Sequence, residues 1–273
     1  MTASQPILEL KKVSKWYDLE TAEGALDRLV AVDEITRKVP EGAFISIVGP
    51  SGCGKSTLLE MIAGLRTVSS GEIRLKGQIV TKPAPQIGVV FQEESTFPWR
   101  TVMGNVEFPL EIAGVPLKER RQRCQQVIEL VGLREFVNAR PKELSGGMRQ
   151  RVAIARALAY DPDILLMDEP FGALDQQTRV FLGEELLRIW QETHKTILFV
   201  THDINEAIFL SQEVWVMSYR PGRIRDVVQV DFPYPRGAHT MAEPGFAALS
   251  GRVWQFIHDE WQNNFSLARR MSQ

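Results

Sequence analysis

Short, continuous apolar runs alternate along the chain with segments in which apolar residues recur every three or four positions. Continuous runs of four or five residues are typical of strands that are buried on both faces of a sheet. The longer repeat predicts helices that cover such a sheet. We therefore predict an α/β fold with a mainly parallel sheet. The strand runs are residues 44–48, 87–91, 164–167 and 196–200, and the longest helical segment between them is 176–192.

Two regions depart from this alternation. Residues 7–13 and 29–39 carry apolar side chains with a period of two, which predicts strands of an antiparallel β region. From about 94 to 160 helical patterns take over, which predicts a helical subdomain inserted into the core. The predicted limits are one domain over 7–230, then a proline-containing linker and an amphipathic helix within 231–273.

Two amphipathic helices carry apolar stripes that we expect to face a core. In the helix over 176–192 the stripe comprises Phe181, Leu182, Leu186, Ile189 and Trp190. In the tail helix, predicted over 244–262, it comprises Phe246, Leu249, Val253, Phe256, Ile257 and Trp261, and we expect it to pack on the parent domain. Between the two helices, Pro221-Gly222 predicts the turn of a closing hairpin.

The composition argues against several classes of function. With 44% hydrophobic residues, 24% charged residues and a formal net charge of −2, the chain lacks the basic surplus of a nucleic-acid binder. Its two cysteines, Cys53 and Cys124, form no CxxC pair and predict neither a zinc site nor a disulfide framework. With no signal-peptide pattern and no apolar run of about 18 residues, we expect a cytoplasmic protein that meets a membrane only through a partner. The charge run at 118–123 is typical of a solvated helix face.

A glycine-rich loop follows the strand run at 44–48 and precedes a helical pattern. Its glycines let several backbone N–H groups point at one centre, which together with a helix N-terminus binds phosphate. Lys55 adds a charge for the β- and γ-phosphates, and Ser56 offers a hydroxyl to Mg²⁺. We therefore predict a nucleoside triphosphate as ligand. The loop comprises Gly49, Pro50, Ser51, Gly52, Cys53, Gly54, Lys55, Ser56 and Thr57.

Two further motifs extend this site. The strand run at 164–167 ends in Asp168 and Glu169, which would emerge at the carboxyl edge of a parallel sheet. Asp168 is suited to hold Mg²⁺ and Glu169 to polarise an attacking water. Ser145, Gly146 and Gly147 open another helix and form a second anion-binding start. One chain thus has two anion-binding helix starts but only one acid pair. This is explained if the second helix start binds the γ-phosphate held by a neighbouring copy.

Taken together, these motifs resemble the ATP-binding subunit of an ABC transporter over about residues 7–230. The resemblance implies the ABC ATPase fold, a P-loop NTPase core with a helical subdomain, and the cofactors ATP and Mg²⁺. It implies that Gln92 senses Mg²⁺ and the attacking water, and that His202 contacts the γ-phosphate and orients that water. It implies an aromatic residue stacked on adenine, which is Tyr17 or the adjacent Trp16.

The same resemblance implies how the chain assembles. Two copies would sandwich two ATP molecules, and the loop 173–175 would cross the dimer interface. Met148 stands where the family most often has glutamine, so a polar contact to the nucleotide sugar would be lost. We nevertheless expect ATPase activity, with Glu169 as general base, because Arg149-Gln150-Arg151 continues as in the family.

An ATPase subunit of this family usually drives integral membrane permease subunits from the cytoplasmic face of the inner membrane. The stretches 97–102 and 219–223 and the short aromatic tail resemble the importer group for nitrate, sulfonates and taurine, which also uses a solute-binding protein. Phe97-Pro98-Trp99 would dock the permease or pack locally, and both interpretations stay open here. The alternatives are a lipid or drug exporter, and a soluble ABC ATPase acting on DNA or the ribosome.

Overall fold

The structure, a computed structural model, describes residues 6–20, 26–92 and 95–271. The chain folds as two compact units, residues 1–84 with 198–273, and residues 85–197. We call them the first and second unit. The predicted domain limits, 7–230 with an insert over 94–160 and then 231–273, remain predictions.

An antiparallel sheet in the first unit has the strand order β2-β1-β4-β5. The strands are β1 (Leu8–Glu20), β2 (Leu26–Val39), β4 (Ser70–Leu75) and β5 (Gln78–Ile79). Leu8 lies opposite Val39 on one side and opposite Leu75 on the other. β1 is longer than predicted because register shifts between Leu10 and Trp16 interrupt the period of two that marks its first half.

The first unit also contains strands in the order β10-β9-β3-β8, with β9 parallel to β3 and antiparallel to β10. All five residues of β3 are buried, as the apolar run predicts. The strands are β3 (Phe44–Val48), β8 (Thr196–Val200), which begins in the second unit, β9 (Glu213–Met217) and β10 (Ile224–Gln229). The helices are α1 (Lys55–Ile62), α6 (Ile204–Leu210), α7 (Ala238–Met241) and α8 (Pro244–Met271).

The tail belongs to the first unit, where α8 contacts α6 and β9. Phe246 and Val253 are buried, which confirms that the apolar stripe packs on the parent domain. The stripe's last predicted member, the side chain of Trp261, lies outside the described side chains. The helix runs beyond the predicted end at 262 because no glycine or proline interrupts it after Gly251.

In the second unit β6 (Ile87–Val90) pairs in parallel with β7 (Ile164–Asp168). Its helices are α2 (Val102–Ile112), α3 (Leu117–Leu130), α4 (Gly146–Leu158) and α5 (Gln176–Thr193), with short 3₁₀ turns at Arg134–Phe136 and Pro141–Glu143. α2, α3 and α4 pack on one another, as expected of a helical region. Over the described residues, no helix is both long and apolar enough to cross a membrane.

The prediction that Phe181 of α5 lies in the core is wrong. The side chain of Phe181 is 52% exposed, whereas Leu182, Leu186, Ile189 and Trp190 are buried. These four recur at i, i+4, i+7 and i+8 and form one face of the helix. Phe181 is one position, about 100°, away from Leu182 and shares its face with the polar residues at 185 and 188.

Candidate nucleotide-binding site

The phosphate loop, residues 49–57, has a backbone that only glycine adopts without strain at two positions. Gly52 has φ +75° and Gly54 has φ +103°, and Gly54 immediately precedes α1. Space is also restricted, because a Cβ at Gly54 would lie 2.7 Å from the carbonyl oxygen of Ala31. At Gly49 it would lie 2.9 Å from the carbonyl oxygen of Met217. Strand, loop and helix are therefore arranged as the sequence predicts.

Lys55 supplies a positive charge within this loop. Its side chain is buried, and Nζ donates hydrogen bonds to the carbonyl oxygens of Gly49 at 2.9 Å and Pro50 at 3.2 Å. The N-terminus of α1 adds its own partial positive charge at the same place. The loop thus combines backbone N–H groups, a helix terminus and an ammonium group, a combination suited to bind polyphosphate.

Cys53 and Ser56 differ in exposure and therefore in what they can do. Cys53 is fully buried, and burial raises the pKa of its thiol, so a redox role is disfavoured. Ser56, in the first turn of α1, is exposed. Its hydroxyl and the carboxylate of Asp168 are hard oxygen donors of the kind that Mg²⁺ prefers. Over the described ranges, no group of three His, Cys, Asp or Glu residues is placed to hold a metal ion.

The two adenine candidates lie next to each other on β1, and both are half-buried. The guanidinium of Arg28 lies 4.9 Å from the ring of Trp16. The ring of Tyr17 has Arg66 at 5.5 Å, and Arg66 Nε donates to Glu60 of α1 at 2.6 Å. Tyr17 is thus linked through Arg66 to the helix that carries Lys55, and the choice between Tyr17 and Trp16 for the base-stacking role stays a prediction.

His202 lies in the same unit as the phosphate loop. The N–H of Thr201 donates to the carbonyl oxygen of Ile47 at 3.2 Å, which ties this segment to the strand that leads into the loop. Thr201 Oγ1 accepts from the N–H of Asp203 at 3.0 Å, and Asp203 in turn caps α6. The exposed His202 also lines a cavity of about 590 Å³ together with Ser250 and Trp254 of α8.

The acid pair ends β7 in the second unit. Both carboxylate residues are half-buried, and Glu169 has φ +44°, an uncommon value for a residue with a Cβ that often marks functional positions. Because β6 and β7 are parallel with Val90 opposite Met167, Gln92 and Glu169 leave the sheet at the same edge. Gln92 is exposed there.

Ser145 and the loop 173–175 lie on neighbouring helix starts of the second unit. Ser145 Oγ accepts from the N–H of Met148 at 3.3 Å, which confirms its N-cap role. Asp175 caps α5 by accepting from Thr178 N at 3.0 Å, and the hydrogen bonds from Thr178 lower the pKa of Asp175. A Cβ at Gly147 would lie 3.2 Å from Thr178 Cγ2, so the two helix starts pack closely.

The predicted site residues are therefore divided between the two units. The first unit holds Tyr17, the phosphate loop and His202, and the second holds Gln92, Ser145, Gly146, Gly147, Asp168 and Glu169. Their assigned roles stay predictions. Sequence reasoning missed that Arg220 and Gly222, in the turn between β9 and β10, lie against the phosphate loop. Pro221-Gly222 predicts the turn but not its contact with the loop, because Arg220 and Gly52 are 168 positions apart in the sequence.

Comparisons with known proteins identify the family of the chain. The family model described as ABC transporter matches residues 32–172. The taurine import ATP-binding protein TauB of Rhizobium johnstonii is 50% identical over 234 residues, covering 84% of this chain and 89% of that protein. The nitrate import ATP-binding protein NrtD of Synechocystis sp. is 50% identical over 210 residues, covering 77% of this chain and 79% of that protein.

Solved structures support the same fold. A dimeric ATP-binding cassette in a post-hydrolysis state, bound to ADP and Pi, is 33% identical with a TM-score of 0.70, and the match covers 83% of this chain and all of that chain. The predicted fold class is confirmed: a P-loop core with a mainly parallel sheet, an antiparallel β region and a helical subdomain. With a phosphate loop of this geometry and relatives of this identity, the chain belongs to the ABC transporter family of ATP-binding proteins.

Proposed function

We propose that this chain is the ATP-hydrolysing subunit of an importer that takes up a small solute through a separate permease. The observation that carries the proposal is the phosphate loop, with Lys55 held against it and α1 starting at its end. The importer assignment is supported by relatives named for taurine and nitrate import, which match the chain at 50% identity.

Lys55 and the N–H groups of the phosphate loop would bind the triphosphate, with Tyr17 stacked on the adenine. Ser56 and Asp168 would hold Mg²⁺, assisted by Gln92, and the ion when bound neutralises charge on the β- and γ-phosphates. Phosphoryl transfer to water needs positioning and charge stabilisation more than covalent help. The rate of hydrolysis therefore depends chiefly on the residues that position and deprotonate the attacking water.

Glu169 would accept a proton from the attacking water as that water forms a bond to the γ-phosphorus. The bond from the γ-phosphorus to the β,γ-bridging oxygen breaks, and ADP leaves with that oxygen. His202 would contact the γ-phosphate and orient the water. A carboxylate within hydrogen-bond reach of the water meets the requirement for a general base.

Two copies would close head to tail around two ATP molecules. The γ-phosphate on the loop of one copy would meet Ser145, Gly146 and Gly147 of the other, while the loop 173–175 crosses the interface. The close packing of α4 and α5 starts within the second unit supports this assignment, because it puts both predicted interface segments side by side. Known dimeric cassettes of related sequence support it as well.

The membrane partner would dock on the second unit at the cytoplasmic face of the inner membrane. Within Phe97-Pro98-Trp99 the two aromatic residues differ in exposure. Phe97 packs locally, with its ring centroid 4.6 Å from that of Phe108, whereas Trp99 is 69% exposed. Buried Asn105 holds this loop by donating to the carbonyl oxygens of Phe97 at 3.2 Å and Thr101 at 2.9 Å. A fixed loop that presents one large aromatic side chain is suited to dock a permease helix.

Reconstitution tests this proposal against the exporter alternative. The chain would be co-purified with its permease, incorporated into proteoliposomes and supplied with the solute-binding protein. We expect ATP-dependent uptake of taurine, an alkanesulfonate or nitrate, and no uptake when the chain carries Glu169→Gln. ATP-driven movement of a lipid or drug in the opposite direction, or stable association with nucleic acid and no permease, would contradict the importer assignment.

A further inference from the structure

The turn at residues 219–222, between β9 and β10, lies directly against the phosphate loop. Arg220 Nε donates a hydrogen bond to the carbonyl oxygen of Gly52 at 2.8 Å. Gly222 packs so closely that an added Cβ would overlap the carbonyl oxygen of Cys53. The turn therefore touches two consecutive peptide groups of the loop, and both partners belong to the first unit.

Arg220 completes the fixation of the peptide group between Gly52 and Cys53. The carbonyl oxygen of this group accepts from Arg220, and its N–H donates to the carbonyl oxygen of Pro50 at 3.2 Å. Gly52 has φ +75°, and because it has no Cβ, sterics restrict this peptide plane little. The two hydrogen bonds restrict it instead. Because the N–H of Cys53 is turned to Pro50, the two hydrogen bonds act by fixing the backbone that leads into Gly54 and α1. Phosphate affinity rises when the N–H groups that follow are already oriented.

The turn is itself held firmly from the opposite side. Gly222 N donates to the carbonyl oxygen of Ala31 at 3.0 Å, and Asp33 N donates to the carbonyl oxygen of Gly222 at 3.0 Å. Glu260 of α8 accepts from the N–H of Tyr219 at 3.2 Å. These contacts join the turn to β2 and to the tail helix, so Arg220 is presented to the loop from a fixed support.

Arg220 also places a permanent positive charge beside the loop. A Cβ built at Gly52 would lie 3.3 Å from Arg220 Nη2, so the guanidinium lies along the loop backbone rather than away from it. The field of this charge extends into the loop, where it partly opposes the rise that burial causes in the pKa of Cys53. A positive charge at this place attracts the negatively charged triphosphate to the loop.

We propose that Arg220 is a positioning residue for nucleoside triphosphate binding: by holding the Gly52–Cys53 peptide it fixes the loop backbone that leads into Gly54 and the start of α1. This inference rests on the proposed function of the phosphate loop. Arg220 is expected to act in the bound and reacting states alike. Its loss should therefore raise KM for ATP and leave kcat at saturating ATP within about twofold.

The test compares Arg220→Met with Arg223→Met. Arg223 immediately follows the turn and its Nε donates to Asp33 at 2.9 Å, so this control removes an equal charge without touching the loop. The Kd of a fluorescent ATP analogue would be measured by titration, alongside the melting temperature. We expect Arg220→Met to raise Kd about tenfold, Arg220→Lys about threefold, and Arg223→Met less than twofold.

The outcomes separate this inference from the proposed function. If the wild-type chain fails to bind the analogue, the proposed function is wrong. If it binds, but Arg220→Met and Arg223→Met have equal affinities, Arg220 has no positioning role. A lower melting temperature with unchanged Kd would likewise overturn the inference, because it indicates a structural role alone. Should Arg220→Met not fold, Arg220→Lys against Arg223→Lys carries the same comparison, and equal affinities would overturn the inference.

Discussion

Arg236 joins the tail to helix α6, and its replacement should destabilise the first unit more than any surface arginine does. The side chain is buried, its guanidinium lies 4.0 Å from the ring of Tyr234, and it donates to main-chain carbonyl oxygens. Nη1 reaches the last turn of α6, and the other nitrogens reach the linker from which Arg236 itself comes. The acceptors are Ile208 at 2.9 Å, Phe209 at 3.0 Å, Ser211 at 2.8 Å, Val230 at 3.3 Å and Phe232 at 2.9 Å.

The magnitude follows from these contacts. Arg236→Met keeps much of the apolar stem but removes the donor from five carbonyl oxygens, at about 1 kcal/mol each. Arg236→Met also avoids the free-energy cost of burying the guanidinium, and this offsets part of the gross loss of roughly 5 kcal/mol. That cost is evident in the lowered pKa of Arg236, for which burial is the main cause. We expect a net loss of about 2–4 kcal/mol in the free energy of unfolding, or roughly 4–16 °C in melting temperature.

Thermal unfolding and amide hydrogen exchange measure this effect. Exchange should accelerate in α6, whose carboxyl end loses its clamp and a favourable cation near the helix C-terminus. The matched control is Arg225→Met. Arg225 is exposed and pairs with Glu260 at 3.1 Å, so its loss should cost about 1 kcal/mol or less. Equal destabilisation by the two substitutions, or unchanged exchange in α6, would show that Arg236 does not clamp the helix.

Three further predictions concern the site and its partner. Lys55→Ala should weaken ATP binding by roughly 10- to 150-fold, because a charge-assisted contact contributes about 1.5–3 kcal/mol, while exposed Lys118→Ala leaves nucleotide titrations unchanged. Equal affinities would count against the phosphate-loop assignment. Cys53 and Cys124 should resist iodoacetamide at pH 8 in the folded chain, because burial raises both thiol pKa values, that of Cys124 to about 12, and both should react after unfolding. Rapid native alkylation would contradict their burial. Trp99→Ala should leave ATP hydrolysis by the isolated subunit unchanged but uncouple it from transport in proteoliposomes, whereas unimpaired transport and assembly would argue for a merely local role of the loop.

Local rules predicted the elements that carry the site. The β3 run, the glycine-rich loop and α1 are consecutive in sequence, and the positive φ of Gly52 and Gly54 explains why glycine stands there. The start of α4 followed from Ser145, because an N-cap needs only a hydroxyl two or three residues before a free N–H. Such features depend on neighbours in the sequence and can be predicted from it.

Features that depend on distant contacts were missed. The contact of Arg220 with Gly52 joins residues 168 positions apart, and no local pattern predicts it. Phe181 was assigned to the core on hydrophobicity alone, although its position on the helix puts it with polar neighbours. The buried clamp of Arg236 was also missed, since an arginine in a proline-rich linker ordinarily indicates an exposed residue.

ATP turnover by Glu169→Gln is the sharpest test of whether the chain hydrolyses ATP with Glu169 as the general base. Glutamine keeps the size of the side chain and its hydrogen-bonding capacity but accepts no proton from water. Purified wild-type and variant chains would be compared for ATP hydrolysis, for nucleotide affinity and for ATP-dependent dimerisation by light scattering. We predict that hydrolysis falls by about 100-fold or more while affinity and dimerisation persist. Hydrolysis by the variant at more than about a tenth of the wild-type rate would contradict the assignment of Glu169 as the general base.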